Sequence, residues 1–485
     1  MTGLPEGWAA CRLSEICVKI VDGSHNPPDK QTSGKPMLSA VNVDNNQISF
    51  SQFRLIDPKR WDDEDRRTRI APGDILLTIV GAIGRVAVVP EGIRPFTLQR
   101  SVAVLTPAEV SSRYLMYQLE EPSVAQFFKE NARGTAQKGV YLKTLGTTPI
   151  KLAPLPEQHR IVAKIEELLS ELDAGTASLT RARAQLKTYR QALLKAAFEG
   201  KLTAPWRAAN PNKLESPETL LSRIRKEREA VNKSDALEPG YQPEIAETEA
   251  GWAWASLDLV TASSLIGLVR SNAVQNAEES GASYIKMDRV DMDGRVSISP
   301  EIFVTVDAEE ARRYSLTKGD ILFNTRNSLE LVGKTGILRS EPAVTTVFNN
   351  NLMRIRPIKS VMPEFLVHQM CGHIFRRRME RVKKATTSVA AVYGKDLWPL
   401  PLVIPSLSEQ ALIVEILEEK LSSVNAIESE ITTALTRITA LRQSILKKAF
   451  SGQLVPQDPA DEPASALLAR LEQAPAPKPR RKTKP

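Results

Sequence analysis

The sequence predicts an α+β protein: two mixed α/β domains in pseudo-repeat, separated by two long helices that form an antiparallel coiled coil. Three observations carry that prediction. Residues 157–202 recur at 409–454 with a constant offset of 252 and no gap. Both copies carry apolar residues at alternating steps of three and four. Each copy is preceded by a stretch with the same strand–turn–strand frame.

The repeat is strong. Of the 46 positions in 157–202, 19 are identical at 409–454, including Glu157-Gln158 with Glu409-Gln410 and the Ala-Phe-x-Gly-x-Leu ends at 197–202 and 449–454. It extends outward with altered offsets: Gly7-Trp8 parallels Gly251-Trp252, Gly73-Asp74-Ile75-Leu76 parallels Gly319-Asp320-Ile321-Leu322, and Tyr141-x-Lys143-x-Leu145 parallels Tyr393-x-Lys395-x-Leu397. The order is a first domain over 1–156, a long helix over 157–202, a connector over 203–247, a second domain over 248–408, a second long helix over 409–454 and a C-terminal segment over 455–485.

Within the first domain, residues 74–80 and 85–89 read as strands around a glycine turn, and 114–128 as helix. The second domain repeats the layout at 320–323 and 335–338, with helix expected over 363–382. Ile161, Ile165, Leu168, Leu172, Leu179, Leu186, Tyr189 and Leu193 form the seam expected of the first long helix. Ile413, Leu417, Val424, Ile427, Ile431, Ala434, Ile438, Leu441 and Ile445 form that of the second, interrupted only by Lys420. A long heptad helix cannot bury its stripe alone, and two in one chain most simply pair with each other. The connector holds four prolines around one charged helix over 217–231, and the end of the C-terminal segment, rich in Pro, Lys and Arg, reads as disordered.

Composition bounds the function. With 485 residues, 42% hydrophobic and 25% charged, the chain is globular and too long for one core. The longest uncharged apolar stretch, 75–83, is far short of the ~20 residues that span a bilayer, so a cytoplasmic protein without a membrane partner is expected. Three cysteines without a CxxC pair and four scattered histidines argue against a disulfide framework or a metal site. The net charge of +8 invites a nucleic-acid reading, but Lys478, Arg480, Arg481, Lys482 and Lys484 supply five of those charges.

No catalytic constellation emerges. Asn26-Pro27-Pro28-Asp29 resembles the Asn-Pro-Pro-aromatic motif of amino-methyltransferases, but Asp29 cannot stack on a flipped base. Gly333-Lys334-Thr335 resembles the end of a phosphate loop, yet Ser328 stands where its first glycine belongs, so a hairpin turn is the better reading. No Gly-x-Ser-x-Gly anchors a nucleophile. What remains is two divergent recognition-type domains on a shared helical spacer.

The Pro-Leu-Pro-Glu157-Gln158 and Pro-Ser-Leu-Ser-Glu409-Gln410 helix starts, the Ala-Phe-x-Gly-x-Leu ends and Gly134-Thr-Ala-Gln137 ahead of Tyr141-x-Lys143-x-Leu145 together resemble the specificity subunit of type I restriction–modification systems. The resemblance covers all but the last dozen residues. It implies two target-recognition domains, each reading one half of a bipartite, asymmetric target in double-stranded DNA, with the helix pair fixing the gap. It implies two methyltransferase (M) subunits and restriction/translocase (R) subunits as partners. S-adenosylmethionine, ATP and Mg belong on those partners, with no cofactor, metal or activity in this chain. Two other readings are weaker: a stand-alone adenine DNA methyltransferase or nuclease, and a coiled-coil protein scaffold without DNA binding.

Base edges are read by Arg, Lys, Asn or Gln on exposed loops. In the first domain the candidates are Ser24, His25, Asn26, Arg85, Arg133, Thr135, Gln137 and Lys138; in the second they are Arg270, Ser271, Asn272, Asn324, Arg326, Asn327, Lys383, Lys384 and Thr386. Lys143 and Lys395 suit phosphate contacts, which position a reader without specifying sequence. Ala136-Gln137 has no counterpart ahead of Tyr393, so the second domain is expected to place its loop differently. Trp8 and Trp252 are expected to pack at the domain base, and Arg181, Arg183 and Arg190 to flank the helix seam.

Overall fold

A computed structural model describes residues 3–134, 137–231, 249–275, 281–298, 302–385 and 389–473. It divides into two units, Met1–Thr180 with Thr432–Pro485, and Arg181–Ile431. Each unit holds one mixed domain and parts of both long helices.

In the first unit a four-stranded antiparallel sheet runs in the order Cys17–Asp22, Val102–Pro107, Ile75–Thr78, Val86–Val88. Ile75, Leu76, Leu77 and Thr78 are all buried because the sheet is covered on both faces. Ile75 and Leu77 join the core that reaches the helices, whereas Leu76, Val102 and Val104 face a second cluster with Leu38, Phe96 and Leu98. That second cluster is closed by a small sheet in which Lys35–Leu38 pairs parallel to Thr97–Leu98.

The second unit repeats this plan. Its sheet runs Thr261–Ile266, Leu352–Pro357, Ile321–Asn324, Thr335–Ile337, and its small sheet pairs Ala282–Ile285 parallel to Thr346–Phe348. The helices expected over 114–128 and 363–382 are each two helices. The first breaks into Ser112–Leu119 and Pro122–Asn131, where Pro122 can only start a helix. The second breaks into Pro363–Cys371 and His373–Glu380 at an extended Gly372.

The long helices are Leu155–Phe198 and Leu407–Ala449. In the first unit Ile161 and Ile165 share a core with Leu446 and Ala449, so helix start packs on helix end. In the second unit Leu193, Leu194 and Ala197 share a core with Ile413, Val414 and Leu417. The pairing is antiparallel in both.

The expected seam needs correction. Tyr189, Ile427 and Leu441 are exposed, and their inward places are taken by the next residues, Arg190, Glu428 and Arg442. Leu421 likewise replaces Lys420, so the interruption disappears. A 3.5-residue template drifts against a helix of 3.6 residues per turn, and a one-residue slip is the result. The polar seam positions are partnered across the pair: Arg190 Nη2 donates to Asn425 at 2.8 Å and Glu428 at 2.9 Å. Arg442, at the position equivalent to Arg190, pairs with Asp173.

The repeat's invariant residues anchor each domain to its helices. Buried Gln158 accepts from the Ser111 amide at 3.0 Å and donates to the Ala153 carbonyl at 2.8 Å. Buried Gln410 accepts from the Met362 amide and donates to the Ser360 and Pro405 carbonyls, each at 2.9 Å. Ser111 and Met362 cap equivalent helices, so one side chain satisfies an open helix start and a strand exit. Phe450 packs edge-on against Tyr114 at 5.3 Å, as Phe198 does against Phe365 at 5.4 Å. Gly200 and Gly452, at φ +72° and +71°, end the helices in the left-handed region that favours glycine.

Trp8 and Trp252 are buried at the domain bases, and Trp8 Nε1 donates to Glu157 at 3.0 Å. The equivalent carboxylate, Glu409, instead accepts from Arg207 at 2.5 Å and Thr203 at 2.6 Å. Among the described residues no helix is long and apolar enough to cross a membrane.

Candidate nucleic-acid interface

One edge of each four-stranded sheet gathers the candidate loops. Strands Cys17–Asp22 and Ile75–Thr78 both run antiparallel to Val102–Pro107, so they are parallel to each other and end at the same edge. Asp22 and Leu77 both lie opposite Ala103, which sets the two ends level. The loops leaving after Asp22 and after Thr78, and the loop entering at Val102, therefore emerge side by side. A hairpin joins them: Val80 and Arg133 each bridge to Gly139, and the Val140 amide donates to Ile79 at 2.8 Å.

The second unit builds the same rim. Ile266 and Phe323 both lie opposite Met353. Its hairpin, Lys384–Ala385 with Ala390–Ala391, pairs onto Arg326–Asn327. Arg326 opposite Ala391 is the counterpart of Val80 opposite Gly139. The expectation that the second domain places its loop differently is corrected: the sequences differ, but backbone pairing puts both hairpins at one topological position.

The rims need two glycines. A Cβ on Gly23 would sit 2.2 Å from the Leu98 carbonyl oxygen, and one on Gly267 would sit 2.3 Å from that of Asn349. Backbone cannot yield there as a side chain can. Gly23→Ala is expected to cost about 1–3 kcal/mol through overpacking, read as a lower midpoint in urea unfolding.

The structure sorts the candidates. In the first unit His25, Asn26, Arg85, Arg133, Gln137, Lys138 and Lys143 are exposed. His25 Nε2 lies 2.7 Å from Asp22, which also holds Arg67 at 2.8 Å, so its ring is anchored while its face is open. Arg85 lies 3.4 Å from Asp44, whereas Arg133 and Lys138 have no carboxylate within ion-pairing distance among the described residues. Ser24 is corrected: it is buried, not exposed, and donates to Glu64 at 3.0 Å, a contact that holds the loop. Thr135 and Thr386 lie outside the described residues, as does the basic tail.

In the second unit Ser271, Asn272, Arg326, Lys384 and Lys395 are exposed. Lys384 pairs with Asp396 at 2.7 Å, and Arg270, half-buried, pairs with Glu310 at 2.5 Å. Three candidates are corrected. Asn324 is fully buried, donating to the Arg326 and Asn351 carbonyls at 3.0 Å. Asn327 spends its amide on Asn324 at 2.9 Å. The Lys383 side chain is buried, with its ammonium on the Leu329 carbonyl and Glu380 at 3.0 and 2.6 Å. Each was read as an exposed loop residue, but its side chain is held by hydrogen bonds to neighbouring carbonyls and side chains.

Arg190, expected to flank the helix seam, is instead buried within it. Lys334 is buried, and burial pushes its ammonium down from the usual lysine range. The Gly333-Lys334-Thr335 segment thus closes a hairpin, with the Lys334 carbonyl accepting from the Asn324 amide at 2.8 Å, and offers no phosphate cradle.

Sequence reasoning missed the third loop of each rim. Gln99-Arg100-Ser101 and Asn349-Asn350-Asn351 enter the equivalent strands, and Arg100 is exposed without an ion-pairing carboxylate among the described residues. The available signal was a polar triplet between two apolar runs. Tyr141 and Tyr393, quoted only as markers of the repeat, are exposed at the foot of each hairpin.

The family described as the type I restriction modification DNA specificity domain matches residues 5–186 and 270–437. Among curated proteins, the chain is 25% identical over 490 residues to the type I restriction enzyme EcoKI specificity subunit of Escherichia coli K12, covering 97% of this chain and 96% of that one. It is 30% identical over 239 residues to the EcoBI specificity subunit of Escherichia coli, covering 47% and 49%. Among solved structures, one described as the structural basis of complex assembly and conformational transition of the type I R-M system aligns with a TM-score of 0.62 at 20% identity. That alignment covers 93% of this chain and all of the other.

Proposed function

The chain belongs to the type I restriction–modification DNA specificity family, and from that premise we propose that each unit's loop rim reads one half of a bipartite, asymmetric DNA target. Within this family the chain is the sequence-specificity subunit, a recognition component without catalysis of its own, acting with partner subunits and DNA.

The observation that carries the reading is the rim built twice. The supporting backbone is the same at Gly23 and Gly267 and at both hairpins, while the displayed side chains differ. Asn26, Arg85, Arg133, Gln137 and Lys138 face solvent on one rim; Ser271, Asn272, Arg326 and Lys384 do so on the other. Arg, Lys, Asn and Gln are the side chains that pair with base edges in the major groove. A shared frame with divergent contacts supports two readers of different sequence. The alternatives of a stand-alone methyltransferase and of a scaffold without DNA binding find no support in the family match.

The finer assignment follows the family's logic. Two methyltransferase subunits dock on this chain, one serving each half-site, and restriction/translocase subunits join them. S-adenosylmethionine, ATP and Mg serve those partners, so methyl transfer and cleavage happen on protein other than this chain. Its own part is to bind, orient and space.

Phosphate contacts give a direct test. In the assembled methyltransferase complex, Lys143→Ala and Lys395→Ala should each lower affinity for all DNA and reduce the log K against log salt slope by about one. Fluorescence anisotropy across a salt series reads both. Slopes equal to wild type would remove these lysines from the interface.

A further inference from the structure

Two short helices begin on a residue that cannot cap them. Leu142–Gly146 starts after Tyr141, and Gly394–Leu397 starts after Tyr393. Ser, Thr, Asp or Asn is favoured at this position, because the side chain can accept from an open backbone amide. Neither tyrosine makes such a bond. Nor does either ring supply core packing, since Tyr141 is 61% and Tyr393 47% exposed. Among the described residues neither hydroxyl has a hydrogen-bond partner, and the Lys384 ammonium lies 5.6 Å from the Tyr393 ring centre. The same local rule is thus broken at equivalent positions of two domains that otherwise diverge, and such breaks concentrate where a residue serves function.

Position and company point to the occupant. Tyr141 follows Val140, whose amide is held by Ile79 at the foot of the hairpin, and Tyr393 follows Val392, whose amide is held by Thr325. Each tyrosine is followed two residues later by an exposed lysine, Lys143 or Lys395. An exposed ring with a free hydroxyl, followed two residues later by an exposed lysine and repeated where base-reading loops differ, suits what both half-sites share: the sugar–phosphate backbone. Tyrosine hydroxyls are among the donors that bind phosphate oxygens, and such contacts carry no sequence information.

We propose that Tyr141 and Tyr393 are a matched pair of sequence-independent DNA contacts, each donating its hydroxyl to a phosphate and laying its ring on the adjoining sugar at its own half-site. The proposal rests on the reading that the rims bind DNA and adds the residues that seat them irrespective of sequence.

The test uses the full chain assembled with its methyltransferase subunits and duplexes bearing its target. Tyr141→Phe and Tyr393→Phe remove only the hydroxyl, and each is expected to weaken binding roughly tenfold, the scale of a hydrogen bond to a charged group. Tyr141→Ser and Tyr393→Ser supply the missing cap, so they should melt at or above the wild-type temperature while binding at least as weakly as the Phe variants. In all four the recognised bases and the salt slope should stay as in wild type, because no charge and no base contact is lost. Wild-type affinity in the Phe and Ser variants would overturn the proposal. So would a changed base preference, or loss of subunit assembly in place of DNA affinity, which would make these rings a protein contact. If the wild-type complex itself binds without sequence preference, the parent reading fails and the proposal falls with it.

Discussion

Exchanging residues 1–156 for the corresponding domain of another specificity subunit is expected to replace one half of the recognised DNA sequence and to leave the other half and the gap unchanged. The junction just ahead of Glu157 falls after the first two residues of the first long helix and leaves the rest of both helices unchanged. It also separates the first rim from every exposed rim residue of the second unit. The incoming domain must meet the retained anchors. Gln158 needs only backbone, the Ser111 amide and the Ala153 carbonyl, so almost any donor satisfies it. Glu157 and Phe450 ask for specific partners, an indole like that of Trp8 and a ring like that of Tyr114. A donor lacking the ring would leave a cavity costing roughly 3–5 kcal/mol, and the swap would then fail by misfolding. Methylation mapping separates the cases: a new half-site marks exchange of the reader, and no methylation at all marks loss of the fold.

Arg207→Ala is expected to destabilise the second unit by about 3–5 kcal/mol. Glu409 is fully buried, and Arg207 is its cationic partner at 2.5 Å. The same guanidinium holds the Gly200 carbonyl at 2.6 Å, pairs with Glu249 at 3.0 Å and lies 5.4 Å from the centre of the Trp252 ring. Truncation leaves a buried carboxylate without its partner, where the desolvation penalty is large. Removing both charges should cost much less, so Arg207→Leu with Glu409→Leu is expected to recover most of the loss. Urea unfolding of both variants gives the comparison. Equal destabilisation by single and double variants would mean that packing, and not the ion pair, holds this junction. Among the described residues of the first unit Glu157 has no ion-pair partner: Trp8 serves it there, and burial raises its carboxyl above the usual range.

Much of this architecture was legible because it depends on periodicity and repetition. The offset of 252 marked both long helices, and the meaning of its invariant residues became plain as anchors at Gln158, Gln410, Phe198 and Phe450. What failed did so for physical reasons. A strict heptad slipped by one residue, hiding the roles of Arg190 and Arg442 in the seam. The small sheets were invisible because Met37 pairs with Thr97 across sixty residues in strands too short to show a period. The site was legible as loops and not as side chains. Polarity suggested that Ser24, Asn324 and Lys383 face DNA, but hydrogen bonding within a tight rim turned them inward. Arg100 escaped notice because nothing local marks the loop that carries it, and only sheet pairing brings it beside Asn26 and Arg133.

The most direct measurement is a map of methylated adenines across host DNA, read by long-read sequencing after co-expression of this chain with its methyltransferase subunit. Two readers on one chain predict a single bipartite, asymmetric motif with a constant gap, lost from one half when the hairpin residues Arg133, Gln137 and Lys138 are replaced together. An assembled, soluble complex that methylates no motif, or one whose motif is continuous and survives that replacement, would contradict it.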